Sequence, residues 1–80
     1  MEKDNLEKEI FEAVAQQFQA TTDELTAQTE FVKDLKSSNS DMVDLIVVLE
    51  EKFNLQIPDE EVEKMPSIGH IIQYVRENRN

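Results

Sequence analysis

The sequence predicts an all-α fold: one domain over residues 1–80, built as a small four-helix bundle with a long loop between helices one and two and a short third helix. Three observations carry this. One glycine and two prolines leave few of the turn residues that hairpins need. Apolar residues recur at three- and four-residue intervals in separate stretches, which aligns them along one side of a helix. Pro58 and the Pro66-Ser67 pair fall where the third and fourth stretches begin.

In the first stretch, Leu6, Ile10, Val14 and Phe18 are four residues apart, with Phe11 and Ala13 beside them. Glu2, Lys3, Glu7, Lys8, Glu9 and Glu12 fall on the outward side, so a helix is expected over about residues 4–19. Residues 20–36 carry threonines and no sustained period. They read as a loop tied to the core by Leu25, Phe31, Val32 and Leu35, and a loop of that length in a small domain usually has a function.

A second helix is expected to open near residues 38–40 and to run to residue 53, with Val43, Ile46, Leu49 and Phe53 as its buried face. Leu45, Val47 and Val48 widen the apolar surface beyond what one core covers, which leaves part of it for a partner. Residues 54–58 break the pattern, and a short helix over 59–64 follows Pro58. The last helix follows Pro66-Ser67, with Ile68, Ile71, Ile72 and Val75 inside and Tyr74 nearby. Gly69, in its first turn, is expected to weaken it slightly, and residues 77–80 read as a polar tail.

Composition excludes several functions. A chain of 80 residues buries only roughly 60% of its unfolded surface. There is no cysteine, and His70 is the only histidine, so nucleophile–base catalysis has little to work with and the chain is not expected to be an enzyme. No apolar run approaches the roughly 20 residues that cross a bilayer, and the first ten residues are charged rather than signal-like, which points to a cytoplasmic protein. Eighteen acids against eight bases give a net charge of −10, which repels nucleic acid and anionic membranes and favours basic partners.

That charge is concentrated. Residues 40–63 hold eight acids (Asp41, Asp44, Glu50, Glu51, Asp59, Glu60, Glu61 and Glu63) and one base, Lys52, for a net −7. A solvated surface that keeps the protein dissolved accounts for this as well as a binding face does. The acids lack the alternating spacing and glycine of a calcium loop, so no metal site is expected. An acidic decoy for a nucleic-acid-binding partner fits the charge but nothing else in the sequence.

Several segments, in order and without a gap, resemble the acyl carrier protein family. They are Phe31-Val32-Lys33-Asp34-Leu35, Asp41-Met42-Val43-Asp44-Leu45, Leu49-Glu50-Glu51-Lys52-Phe53, Gln56-Ile57-Pro58-Asp59-Glu60-Glu61 and Ile72-Gln73-Tyr74-Val75. The resemblance covers about residues 6–75 and implies an acyl-carrier-like bundle. It further implies a serine at the start of the second helix that carries 4′-phosphopantetheine through a phosphodiester, with acyl groups held as thioesters. A helix start suits a phosphate because its first amides have no acceptor and the helix dipole is positive there.

Counting from Phe31 and back from Val43 places the attachment position at Asn39, whose amide does not form this ester. The family's Asp-Ser-Leu triplet here reads Ser38-Asn39-Ser40. If an arm is attached, Ser40 is the first candidate, because Asp41 lies beside it, and Ser38 is the second. A shift of one residue turns the hydroxyl by about 100° around the helix. Helix capping alone also accounts for the triplet: Asn is a good N-cap, and Ser38 with Asp41 three residues later resembles a capping box.

The resemblance also implies a docking face: Asp41, Asp44, Val47, Val48, Glu50 and Glu51 on the second helix, with Glu60, Glu61 and Glu63 on or near the third. Its partners would be basic patches on acyl-transfer or synthase enzymes and on a phosphopantetheinyl transferase, bound weakly by a monomer. An acyl chain sequestered in the bundle would meet Phe31, Val43, Ile46, Leu49, Ile57, Val62, Ile71 and Ile72, residues that ordinary core packing explains equally. The function expected is acyl shuttling among fatty-acid, lipid or polyketide assembly enzymes. The alternative is an arm-less carrier homologue that acts as an interaction module through its acidic second helix.

Overall fold

The computed structural model describes residues 5–78, which form four α-helices and a short 3-10 turn, Thr22–Glu24. The expectations for residues 1–4, 79 and 80 lie outside this range. Helix α1 spans Leu6–Phe18 and packs against both α2 (Asn39–Phe53) and α4 (Ile68–Asn78), with α3 (Asp59–Val62) between them in the chain. Among the described residues there is no strand, only an isolated antiparallel bridge between Glu30 and Ser67.

The stripe of α1 behaves as its spacing predicts: Leu6, Ile10 and Val14 are buried and Phe18 is half-buried. Gln19 is not the last helical residue but its stop, at φ 56°, and its N–H still donates to the Ala15 carbonyl. Asn54 ends α2 in the same left-handed conformation, at φ 54°. Asn tolerates that region better than most side chains do.

The long loop is sewn onto the start of α4. Phe31 N–H donates to the Pro66 carbonyl at 2.9 Å, Ile68 N–H to Thr29 at 3.0 Å and Gly69 N–H to Ala27 at 2.9 Å. The first amides of a helix lack internal acceptors, and here loop carbonyls supply them. Leu25 and Phe31 anchor the loop in the core, Leu35 is half-buried, and the Phe31 ring lies 6.2 Å from that of Phe18. Val32 was expected to be a fourth anchor, but it is 72% exposed, because the turn after Phe31 points it away from the bundle.

The buried face of α2 is rotated from the one the spacing suggested. Val43 is 58% exposed, whereas Leu45 is fully buried with Ile46 and Leu49. In a helix that is apolar on more than one side, period alone does not choose the face; contact with α1 does. Helix α3 is shorter than expected and gives way after Val62 to a tighter turn in which Lys64 N–H donates to Glu61 and Met65 N–H to Val62. Helix α4 instead continues through Glu77 to Asn78, where a polar tail was expected. Its Arg76 pairs with Glu7 of α1 at 3.1 Å.

Gly69 has a packing role beyond its weak helix propensity. A Cβ there would sit 2.9 Å from the Ala27 carbonyl oxygen and 3.2 Å from the Ala27 Cβ, so its small size admits the loop.

Candidate functional site at the start of α2

The cap of α2 is Ser38, and Asn39 is the first residue inside the helix. Asp41 N–H donates to Ser38 Oγ at 3.2 Å, and Ser38 N–H donates to Asp41 Oδ2 at 3.0 Å. The capping box is therefore formed by Ser38 and Asp41, and Asn39 is not the cap. Asn39 and Ser40 are both exposed, and among the described residues neither side chain makes a hydrogen bond. Their backbone amides are the first two of the helix and have no acceptor inside it.

This geometry separates the two candidate serines. The Ser38 oxygen already accepts a hydrogen bond, while the Ser40 hydroxyl is uncommitted. Asn39 has no hydroxyl, so the residue at the family position does not fit a phosphodiester. An exposed Ser40 beside two open amides does.

A groove of about 430 Å³ runs from Asn39 between α2 and α3. Of the residues expected to meet an acyl chain, Val43, Ile46, Ile57 and Val62 line it. Phe31, Leu49, Ile71 and Ile72 are buried in the core instead and do not line it. Sequence reasoning missed Met42 and Asp59 in its walls. Met42 is four residues before Ile46, a signal that could have found it.

The acidic docking candidates divide into two groups. Asp44, Glu51, Glu60 and Glu63 are exposed, as are Val47 (45%) and Val48 (42%) beside them. Asp41, Glu50 and Glu61 are half-buried. Asp41 serves the cap; Glu61 reaches Lys64 at 3.9 Å; and Glu50 Oε2 accepts the Ile57 N–H at 2.8 Å. The Tyr74 hydroxyl donates to the Gln56 carbonyl at 3.2 Å. Desolvation raises the pKa of Tyr74 above its ordinary 10.0, and the negative charges of Glu61 and Glu50 add to the rise.

In the first turn of α4, His70 Nδ1 lies 2.6 Å from the Ser67 hydroxyl. This is a helix-start contact between residues three apart, and among the described residues no carboxylate bonds to His70. His70 itself is exposed. Among the described residues no three His, Asp or Glu side chains are grouped to hold a metal ion, and no helix is long and apolar enough to cross a membrane.

A bundle of this topology, with an acid-rimmed groove beginning at the N-terminus of its second long helix, is of the carrier-protein type. It superposes on a solved acyl carrier protein from Enterococcus faecalis with a TM-score of 0.81, covering 98% of this chain and 99% of that one; the 23% identity makes this a likeness of fold. The family described as "phosphopantetheine attachment site" matches residues 8–75. An acyl carrier protein of Helicobacter pylori strain J99 is 40% identical over 72 residues, 90% of this chain and 92% of that protein. One from Wolinella succinogenes is 39% identical over 71 residues, 89% and 93% of the two chains. The chain belongs to the phosphopantetheine-attachment, acyl carrier protein family.

Proposed function

We propose that this chain is an acyl carrier whose 4′-phosphopantetheine is esterified to Ser40, one residue beyond the family position. The observation that carries this reading is the exposed, uncommitted Ser40 hydroxyl in the first turn of α2. When bound, the group supplies a terminal thiol for thioester formation. The chain's own residues would do the rest: the amides of Asn39 and Ser40 face the phosphate, and Val43, Ile46, Ile57 and Val62 cover part of an acyl chain. By itself the protein is not an enzyme. It would act in the cytoplasm as a monomer, shuttling acyl groups among fatty-acid, lipid or polyketide assembly enzymes. Asp44, Glu51, Glu60 and Glu63, with Val47 and Val48, offer an acidic and partly apolar face to basic patches on those enzymes and on a phosphopantetheinyl transferase.

A second reading rests on Asn39: with no hydroxyl at the family position, the chain would be an arm-less module that binds the same class of partner through α2. Intact mass after incubation with coenzyme A and a broad-specificity phosphopantetheinyl transferase separates the two. The carrier reading expects a gain of one phosphopantetheine that maps to Ser40, is lost in Ser40→Ala and persists in Ser38→Ala. No gain, beside a normal carrier modified in the same tube, would leave the arm-less module.

A further inference from the structure

Glu50 and Tyr74 grip a single peptide group. The carbonyl of Gln56 accepts the Tyr74 hydroxyl at 3.2 Å, and the N–H of the same peptide, from Ile57, donates to Glu50 Oε2 at 2.8 Å. One holder comes from α2 and the other from α4, and the peptide they hold lies just before α3. The Ile57 side chain is buried and forms part of the groove, and Pro58, with φ at −64°, links it stiffly to Asp59 at the start of α3. The position of this peptide therefore sets the position of the groove's α3 wall.

Glu50 also belongs to the acidic face. Its carboxylate is half-buried rather than sealed, and it borders both the groove and a neighbouring depression that runs over residues 54–58. A guanidinium arriving from that side would meet the same carboxylate that holds the Ile57 amide. Arginine is the suitable competitor, because its fork of N–H donors can pair with both carboxylate oxygens.

We propose that Glu50 and Tyr74 are positioning residues that latch the α3 wall of the groove, and that a partner's arginine releases the latch by taking the Glu50 carboxylate. Docking on the acidic face would thereby loosen the groove's grip on its contents. The meaning of that release for acyl transfer rests on the carrier reading above; the latch itself does not.

The test is amide hydrogen exchange on the full chain without an arm, read at Ile57 and, as a control for global unfolding, at Leu49 in the core of α2. Loss of a hydrogen bond to a charged acceptor corresponds to roughly a 10- to 100-fold change in a local opening equilibrium. Glu50→Ala is expected to speed exchange at Ile57 by about that factor with Leu49 unchanged, and Tyr74→Phe by a smaller factor. Glu50→Gln keeps an acceptor oxygen and is expected to stay near the wild type. Hexa-arginine peptide is expected to speed Ile57 exchange in the wild type and not in Glu50→Gln.

Unchanged Ile57 exchange in Glu50→Ala would overturn the latch, as would an equal rise at Leu49, which would mean that the whole bundle had loosened. An equal response of wild type and Glu50→Gln to the peptide would overturn its release by arginine. None of these readings depends on attachment, so failure of the mass assay and failure of the latch are separate results.

Discussion

Ser38 and Asp41 cap the same helix start from opposite directions, the Ser38 hydroxyl accepting the Asp41 amide at 3.2 Å and the Asp41 carboxylate accepting the Ser38 amide at 3.0 Å. Replacing an N-cap serine by alanine typically costs about 1 kcal/mol. Ser38→Ala is therefore expected to lower Tm by roughly 4–8 °C in a domain of this size. Ser40→Ala removes no side-chain hydrogen bond among the described residues and is expected to stay within about 0.5 kcal/mol of the wild type in urea unfolding. Equal losses would mean that Ser40 shares in the cap.

The two sides of α2 are expected to respond very differently to truncation. Leu45→Ala opens a cavity in the core and should cost about 2–5 kcal/mol. Val43→Ala, at a residue 58% exposed beside the groove, should change stability by no more than about 0.5 kcal/mol. Denaturant midpoints of the two variants read this directly, and the reverse order would restore the face that sequence spacing suggested.

Gly69→Ala sets helix propensity against packing. Propensity alone predicts a gain of about 1 kcal/mol in a helix. The new Cβ, 2.9 Å from the Ala27 carbonyl, predicts an overpacking cost of about 1–3 kcal/mol. A lower Tm is expected, because the atom in the way is backbone that also accepts the Gly69 N–H. A higher Tm would show that the loop yields without losing that bond.

Tyr74 is the only tyrosine and there is no tryptophan, so ultraviolet titration of phenolate follows this residue alone. Desolvation, then Glu61 and Glu50, raise its folded pKa above the ordinary 10.0, so the folded state holds the phenolic proton more tightly than the unfolded state. The resulting stability is present in full below the unfolded pKa and is lost as pH rises through the folded pKa. The midpoint is expected above 10.0 in native protein and near it in denaturant. Glu50→Gln should lower the native value.

Asn39→Ser in a Ser40→Ala background tests whether a transferase recognises the remainder of α2. The arm is expected to map to position 39. Failure to modify this variant, while a normal carrier is modified alongside, would place the defect in the docking face rather than in the missing hydroxyl.

Much of the candidate site was legible in the sequence because its signals are local. A serine followed three residues later by an acid specifies a cap, and the family segments aligned without a gap on either side of Asn39. The Glu50–Ile57 contact was not legible, because it joins residues seven apart across a turn, where neither helical nor strand period applies. The Tyr74–Gln56 contact spans 18 residues and depends on how α4 lies against that turn.

By itself, the sequence determined that the chain would be helical, about where α2, α3 and α4 would begin and which family it resembles. These follow from the scarcity of glycine and proline, the α1 stripe, the capping residues and local motifs, all of which act over a few residues. Tertiary packing alone decided which side of α2 faces inward, since Val43 and Leu45 are both apolar and only the shared core selects Leu45. It also decided that Gly69 admits a loop and that Glu50, one acid among many on the same face, holds a backbone amide. These features depend on distances between segments far apart in the chain, and those distances are set when the helices bury their common core.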